Sequence, residues 1–138
     1  PGVDGQKMSK SYGNTIPIFT EERELKKMVM SIVTDSAGIN EPKDKDTPLF
    51  KIYSLFLSSE EKKILCDRYD TPGLKYGDIK KELLERIYEY FSPYRQKREH
   101  LLKNLDEVYQ ALEHGATKAS VVANEYMDKI RKAMGIAY

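Results

Sequence analysis

After residue 20 the hydrophobic positions of this chain recur at helical spacing. Apolar residues stand at i, i+3, i+4 and i+7 in the first such stretch, at Leu25, Met28, Val29 and Ile32. This spacing predicts an amphipathic helix with one buried face. Thr20 precedes the stripe and is the predicted N-cap, with Glu21 and Glu22 in the positively polarised first turn.

In the middle of the chain, capping residues indicate where helices begin. Residues 35–47 are polar and contain both Gly and Pro, which predicts a long surface loop. Thr47-Pro48 then supplies an N-cap and a first-turn proline for an apolar helix over residues 49–57. Ser58 and Glu61 have the spacing of a capping box and predict that another helix begins there.

The pattern of apolar residues in the second half of the chain predicts further helices. Asp78 is the predicted cap of one helix. Pro93 either kinks that helix or, with Ser92 as cap, begins a new one, and the pattern leaves both possibilities open. Gly115 is predicted to end a helix, and a last apolar stripe begins at Ala116. Since no strand pattern of useful length is present, the predicted fold class is all-α, a bundle of about five to seven helices.

Composition narrows the possible partners and chemistry. The 138 residues hold 23 Lys and Arg against 22 Asp and Glu, a net charge of +1, so RNA binding would need a local basic patch. Cys66 is the only cysteine, and His100 and His114 lack metal-ligand spacing, so no metal site is predicted. There is no signal peptide, and no apolar run approaches the ~18 residues of a membrane span. We therefore expect a cytoplasmic fragment without a membrane partner.

The segment Lys7–Ser11 concentrates two cations and two hydroxyls in five residues. Lysine ammonium groups suit a triphosphate, because a compact charge on a flexible stem can follow phosphate oxygens as charge moves during reaction. Glycines on both sides permit a loop. The Walker phosphate loop is excluded, because its second glycine would fall at Lys7 or Lys10. By composition alone, a mobile basic terminus without a ligand is an equally good interpretation.

The order of these residues is more informative than their composition. The run Lys7–Ser11, followed by Tyr12-Gly13-Asn14, resembles the signature loop of class I aminoacyl-tRNA synthetases, in the form found in the tryptophanyl family. Later segments resemble the C-terminal part of that family in order and spacing: Thr34–Ser36, Glu41–Asp44, Leu74–Lys81 and Gly115–Ala119. The resemblance therefore covers essentially the whole chain.

The resemblance implies the activation of an amino acid with ATP. The carboxylate of L-tryptophan would attack the α-phosphorus, pyrophosphate would leave with Mg²⁺ assistance, and tRNA(Trp) would accept the aminoacyl group. Lys7 and Lys10 are then the predicted catalytic residues, holding the β- and γ-phosphates of ATP. Ser9 and Ser11 would donate to phosphate oxygens, and Met8 would complete the ATP-binding set as a packing anchor.

The resemblance also predicts a division of the chain. Residues 1–19 would be the loop and its connector, a remnant of the catalytic domain, and residues 20–138 a helical domain on the anticodon side of the tRNA. The family's His-x-Gly-His element and its Rossmann-like catalytic domain have no counterpart here. We therefore expect a flexible loop, an inactive isolated chain, and a parent homodimer formed through the missing domain. Asn14 is predicted to close the loop by bonding its backbone.

A second predicted site is a tRNA-binding surface. Cations interleaved with tyrosines can contact phosphates and stack on bases, and five residues are the candidates: Arg86, Tyr94, Arg95, Lys97 and Arg98. The competing interpretation is a half-buried row of core tyrosines beside an ordinary charged face. For the whole chain, the alternative functions are a tyrosyl-tRNA synthetase fragment and a helical interaction module that is not an enzyme.

Overall fold

The structure, a computed structural model, describes residues 1–136, which form helices and loops without a strand. Within these residues, five α-helices follow one another: α1 Glu22–Met30, α2 Pro48–Tyr53, α3 Ser59–Asp70, α4 Tyr76–Lys103 and α5 Leu105–Ala133. Short 3-10 turns lie at Lys10–Tyr12 and Ser54–Phe56. The all-α prediction is confirmed. None of the helices within residues 1–136 combines the length and apolar character needed to cross a bilayer.

The chain divides into two compact units, residues 1–93 and the residues from Tyr94 onward, and each is described by itself. The first unit contains the hydrophobic core, to which α1, α2, α3 and α4 all contribute. Its fully buried side chains include Leu25, Val29, Leu49, Leu65, Tyr69, Ile79, Leu83 and Ile87. Val3, from the segment before the first helix, joins the same core. Burial of such side chains contributes about 1.5–3 kcal/mol each before entropy is counted.

Two predicted helix starts are confirmed by their capping bonds. The Glu61 amide donates to Ser58 Oγ at 3.2 Å and the Ser58 amide to Glu61 Oε2 at 2.8 Å, which completes the capping box of α3. Thr47 Oγ1 accepts from the Phe50 amide at 3.4 Å at the start of α2, with Pro48 in the first turn. These bonds satisfy amides that a helix leaves unpaired at its beginning.

Two other predicted caps are misplaced. Glu21, rather than Thr20, is the N-cap of α1, and the Thr20 hydroxyl instead donates to Glu24 Oε2 at 2.8 Å. Helix α4 begins at Tyr76, so Asp78 lies inside its first turn, where its charge still favours the helix dipole. The Asp78 amide already has a partner, the Lys75 carbonyl at 3.1 Å.

Proline and glycine did not end helices where the pattern suggested. Helix α4 continues through Pro93, so no new helix begins there. Helix α5 continues through Gly115, so the prediction that a helix ends at Gly115 was wrong. The break falls at Asn104 instead, with φ −129° and ψ 63°, and its Nδ2 donates to the His100 carbonyl at 2.8 Å. A single Gly or Pro costs about 1–3 kcal/mol in a helix, which long flanking helical segments can offset.

A half-buried carboxylate joins three helices of the first unit. Glu82 on α4 accepts from both terminal nitrogens of Arg68 on α3, at 2.7 and 2.8 Å, and from the Tyr53 hydroxyl on α2 at 3.2 Å. The Arg68 hydrogen bonds are the main reason that the pKa of Glu82 lies below its ordinary value. Burial and the nearby Glu82 carboxylate both raise the pKa of Tyr53. The bidentate pair therefore joins α3 to α4 in a specific geometry, and the Tyr53 hydroxyl adds α2 to the contact.

The loop before α2 is organised around a buried lysine. Lys43 is 5% exposed, and its ammonium donates to the Ala37 carbonyl at 3.1 Å and to the Gly38 carbonyl. The same ammonium lies 5.4 Å from the centre of the Tyr76 ring, and the Lys43 amide donates to the Tyr69 carbonyl at 2.7 Å. The predicted loop is confirmed, and this cation gives it a specific path across the first unit.

Candidate phosphate-binding loop

The residues predicted to bind phosphate share one exposed loop. Lys7, Met8, Lys10 and Ser11 are exposed, and Ser9 is half-buried. The Lys10–Tyr12 turn closes with a bond from the Gly13 amide to the Lys10 carbonyl at 3.2 Å. Gly13 has φ +63°, in the left-handed region that glycine adopts without strain. The two ammonium groups and two hydroxyls therefore belong to one short, tightly turned segment.

Asn14 holds the base of this loop, the place where its side chain bonds Asp4, Lys7 and Ser9. Its side chain is 2% exposed, and Oδ1 accepts from the Ser9 amide at 2.7 Å. Its Nδ2 donates to the Lys7 carbonyl at 3.1 Å and to Asp4 Oδ1 at 2.9 Å. The prediction that Asn14 closes the loop by bonding its backbone is confirmed. The flexibility of the loop stays a prediction.

Asp4 completes the base of the loop, and this role was not predicted from the sequence. Its Oδ1 also accepts from the Gln6 amide at 3.0 Å, an Asx turn. The hydrogen bond from Asn14 is the main reason that the pKa of the Asp4 carboxyl lies below its ordinary value. Burial opposes this shift, and the hydrogen bond from the Gln6 amide adds a smaller lowering effect. The signal available in the sequence was an aspartate directly before Gly5 in a glycine-rich stretch, which is typical of such turns.

The loop base is tied to the helical body of the first unit. The Val3 amide donates to the Asn14 carbonyl at 3.0 Å, and the Val3 carbonyl accepts from the Val33 amide at 2.7 Å. The Val3 side chain is 9% exposed and packs in the core. The two arms of the loop are therefore anchored to the chain that leaves α1.

The electrostatic state of the loop suits an anionic ligand. Among residues 1–136, neither Lys7 nor Lys10 forms an ion pair with a carboxylate, whereas Lys45 pairs with Asp70 at 2.6 Å. Positive charge without a protein partner is available to a phosphate. Within the described residues there is also no group of three or more His, Cys, Asp or Glu side chains that could hold a metal ion.

An apolar cavity of about 380 Å³ lies beside the loop in the first unit. Met8 lines it together with side chains of the connector and of α2 and α4, among them Ile16, Ile18, Ile52 and Phe91. Met8 itself is 43% exposed. The position of Met8 at an apolar cavity, rather than among the hydroxyls, is compatible with the predicted role of a packing anchor.

The predicted RNA-binding residues fall in both units. Arg86, in the first unit, is half-buried and bonds Glu61, whose negative charge raises the pKa of Arg86. In the second unit Tyr94, Lys97 and Arg98 are exposed and Arg95 is half-buried, and these four residues lie on consecutive turns of α4. Lys97 Nζ lies 3.9 Å from a carboxylate oxygen of Glu107. Arg86 thus already has an intramolecular partner that an RNA phosphate would have to displace.

Comparison with known proteins decides the family. The model of the class I tRNA synthetases (W and Y) matches residues 1–92, more than half of the chain. The chain belongs to this synthetase family. The tryptophan–tRNA ligase of Fusobacterium nucleatum is 46% identical over 99% of the chain, and that of Rhodopirellula baltica is 45% identical over 99%. The predicted resemblance to tryptophanyl-tRNA synthetases is therefore confirmed.

A solved synthetase structure supports the same assignment. The tryptophanyl-tRNA synthetase of Campylobacter jejuni, in complex with ADP and tryptophan, superimposes on 97% of the chain with a TM-score of 0.88 and 45% identity. The chain spans about two fifths of the length of these synthetases: 42% of the Fusobacterium protein and 42% of the Campylobacter chain. The remaining three fifths of such a protein lie outside the present sequence.

Proposed function

We propose that this chain supplies the phosphate-binding loop and the helical part of a tryptophan–tRNA ligase. The observation that carries the proposal is the loop itself: its two lysines are exposed, neither forms an ion pair within residues 1–136, and Asn14 fixes the base of the loop. The names of the Fusobacterium and Rhodopirellula relatives favour tryptophan over tyrosine as the amino acid. A helical module without catalytic function would have no need for two unneutralised cations on a buried hydrogen-bonded base.

The proposed reaction is adenylate formation followed by transfer to tRNA. A carboxylate oxygen of tryptophan attacks the α-phosphorus of ATP, the bond to the bridging oxygen breaks, and pyrophosphate leaves. The ATP substrate arrives with Mg²⁺, which neutralises part of the phosphate charge. Lys7 and Lys10 bind the β- and γ-phosphates, and the hydroxyls of Ser9 and Ser11 donate to phosphate oxygens. These groups stabilise the negative charge that grows on pyrophosphate in the transition state.

The chain is proposed to act only within a longer synthetase. Residues 1–19 would complete the nucleotide site from one side, and residues 20–138 would form the helical domain that faces tRNA(Trp). The other side of ATP, the tryptophan pocket and the homodimer contact would come from the rest of the protein, which we expect to work in the cytoplasm. The isolated chain is accordingly proposed to be inactive.

Substitution of Lys10 in the full-length synthetase tests the proposal. Lys10→Ala should slow adenylate formation by roughly 10²–10³-fold, because a transition-state donor worth about 3–4 kcal/mol is lost. Lys10→Arg should restore only part of the rate, because a planar guanidinium cannot follow phosphate oxygens as an ammonium does. Tryptophan affinity should change little, since nothing in the proposed role brings Lys10 to the amino acid.

The measurement is the pre-steady-state burst of adenylate at saturating tryptophan. Lys26→Ala is the matched control, because Lys26 is an exposed lysine on α1 outside the loop. An unchanged burst rate in Lys10→Ala, combined with a raised KM for tryptophan, would contradict the assignment of the loop to pyrophosphate stabilisation.

A further inference from the structure

Building on the proposed function, we infer that Asn14 is the positioning residue of the phosphate-binding loop. Its amide sets the main-chain path between Lys7 and Ser9 and thereby the direction in which the loop presents its lysines. The proposal depends on the loop acting on ATP. It adds a residue that does not touch phosphate but controls the residues that do.

The three side-chain hydrogen bonds of Asn14 connect both arms of the loop. Asn14 stands on the returning arm, and its partners on the outgoing arm are the Asp4 carboxylate, the Lys7 carbonyl and the Ser9 amide, at 2.9, 3.1 and 2.7 Å. The last two groups flank Met8, so the backbone is held on both sides of that residue. Lys10 follows directly and begins the 3-10 turn, so its starting direction depends on the same bonds.

The surroundings of Asn14 fit an amide. The side chain is 2% exposed, and a Cβ placed on Gly2 would lie 2.6 Å from Asn14 Nδ2 and 2.7 Å from the Asn14 carbonyl oxygen. Gly2 therefore leaves room that the amide occupies. An alanine at position 14 would leave the part-buried Ser9 amide and Lys7 carbonyl without their partner. An aspartate there would bring a second carboxylate against Asp4.

The same bonds exclude a direct role for the Asn14 side chain in binding ATP. An amide nitrogen has two hydrogens, and both are used, one by Asp4 and one by the Lys7 carbonyl. The side chain of Asn14 therefore has no donor left for a phosphate oxygen. Through the bond from the Val3 amide to the Asn14 carbonyl, its main chain is also tied to the helical body. Its effect on catalysis must pass through the loop it holds.

The first experiment is a double-mutant cycle in the full-length synthetase. Asn14→Ala should slow the adenylate burst by roughly 10²-fold, the loss expected from a misplacement of about 1 Å, with the KM for tryptophan unchanged. In a Lys10→Ala background the same substitution should cost much less, because the group it positions is already absent. Asn40→Ala, at an exposed asparagine in the loop before α2, is the control and should keep the wild-type rate.

The outcomes separate this proposal from the function on which it rests. If Lys10→Ala leaves the burst unchanged, the proposed function fails. If Lys10→Ala slows the burst and Asn14→Ala does not, the loop is functional and the positioning role of Asn14 is wrong. If Asn14→Ala costs the same factor with and without Lys10, it acts on overall stability rather than through the lysine, which also overturns the proposal.

A charge exchange at the base provides a second test if Asn14→Ala folds poorly. Asn14→Asp alone should lose activity at neutral pH, because two carboxylates then face each other, and should regain part of it at lower pH as the pair takes up a proton. Asp4→Asn combined with Asn14→Asp should recover part of the activity at neutral pH, because an amide again faces a carboxylate, while the Lys7 carbonyl still lacks its donor. A double variant as slow as Asn14→Asp, with the single variant insensitive to pH, would overturn the proposal.

Discussion

Replacement of Glu82 by glutamine should measurably weaken the first unit. The carboxylate of Glu82 accepts three hydrogen bonds, at 2.7 and 2.8 Å from Arg68 and at 3.2 Å from Tyr53. Glu82→Gln keeps one acceptor oxygen and turns an NH₂ group toward the guanidinium. The variant therefore loses one charge-assisted bond and the attraction between the ions, and the contact joining three helices becomes weaker.

The expected loss follows from the geometry and the exposure. Hydrogen bonds to charged groups contribute about 1.5–3 kcal/mol when they are well shielded. The Arg68 and Glu82 side chains are 40% and 35% exposed, so solvent screening reduces that value toward the ~1 kcal/mol of surface pairs. We therefore expect a loss of about 1–2 kcal/mol in the free energy of unfolding. For a unit of this size that corresponds to a Tm lower by about 4–16 °C.

The pH dependence supplies the assay that can refute this reasoning. The folded-state pKa of Glu82 is lowered, chiefly by Arg68, so its stabilisation is fully present above the ordinary value of 4.5 and is lost as pH falls through the folded pKa. Urea unfolding of wild type and Glu82→Gln at pH 7 should differ, and the difference should shrink in acid. Glu85→Gln, at an exposed position of α4, should stay within about 0.5 kcal/mol of wild type. Equal stabilities at pH 7, or an undiminished difference in acid, would refute the assignment.

Three further outcomes are expected. Lys43→Met should reduce the free energy of unfolding by about 1–3 kcal/mol in urea titrations, because two loop carbonyls lose a buried donor; a neutral result would contradict the role of the ammonium. Isothermal titration of the isolated chain with ATP should show no tight binding, and a low-micromolar Kd would be incompatible with half a nucleotide site. In the full-length synthetase, Arg98→Ala should weaken tRNA(Trp) binding. It should also reduce by about one the slope of the logarithm of the binding constant against the logarithm of the salt concentration. Unchanged tRNA(Trp) binding and an unchanged salt dependence would reject Arg98 as a contact.

Local interactions made part of this protein predictable from its sequence. The caps at Thr47 and Ser58 were correct because each involves groups within three residues of one another, so the spacing alone specifies the bonds. The i, i+3, i+4, i+7 spacing of apolar positions predicted the buried face of α1 for the same reason, since helical periodicity places Leu25 and Val29 on one face. The loop of Lys7–Ser11 was identified by the order of its residues.

Helix continuity was decided by neighbouring turns rather than by single residues. Pro93 and Gly115 are common breakers, yet α4 and α5 pass through them, whereas the chain breaks at Asn104. The penalty of one unfavourable residue is of the same size as the gain from one or two additional helical turns and their packing. A propensity scale therefore could not place these boundaries.

Pairings between distant residues were decided only by the tertiary structure. Asp4 meets Asn14 across ten residues, Val3 meets Val33 across thirty, and the charge of Arg86 is engaged by Glu61 twenty-five residues away. Such contacts depend on the path of the chain, and that path is set by which apolar faces are buried together in the core. The sequence by itself determined the chemistry of the loop and the helices that follow it. The packing decided which residues hold that loop and which cations remain available to a ligand, because both depend on neighbours that only folding brings within bonding distance.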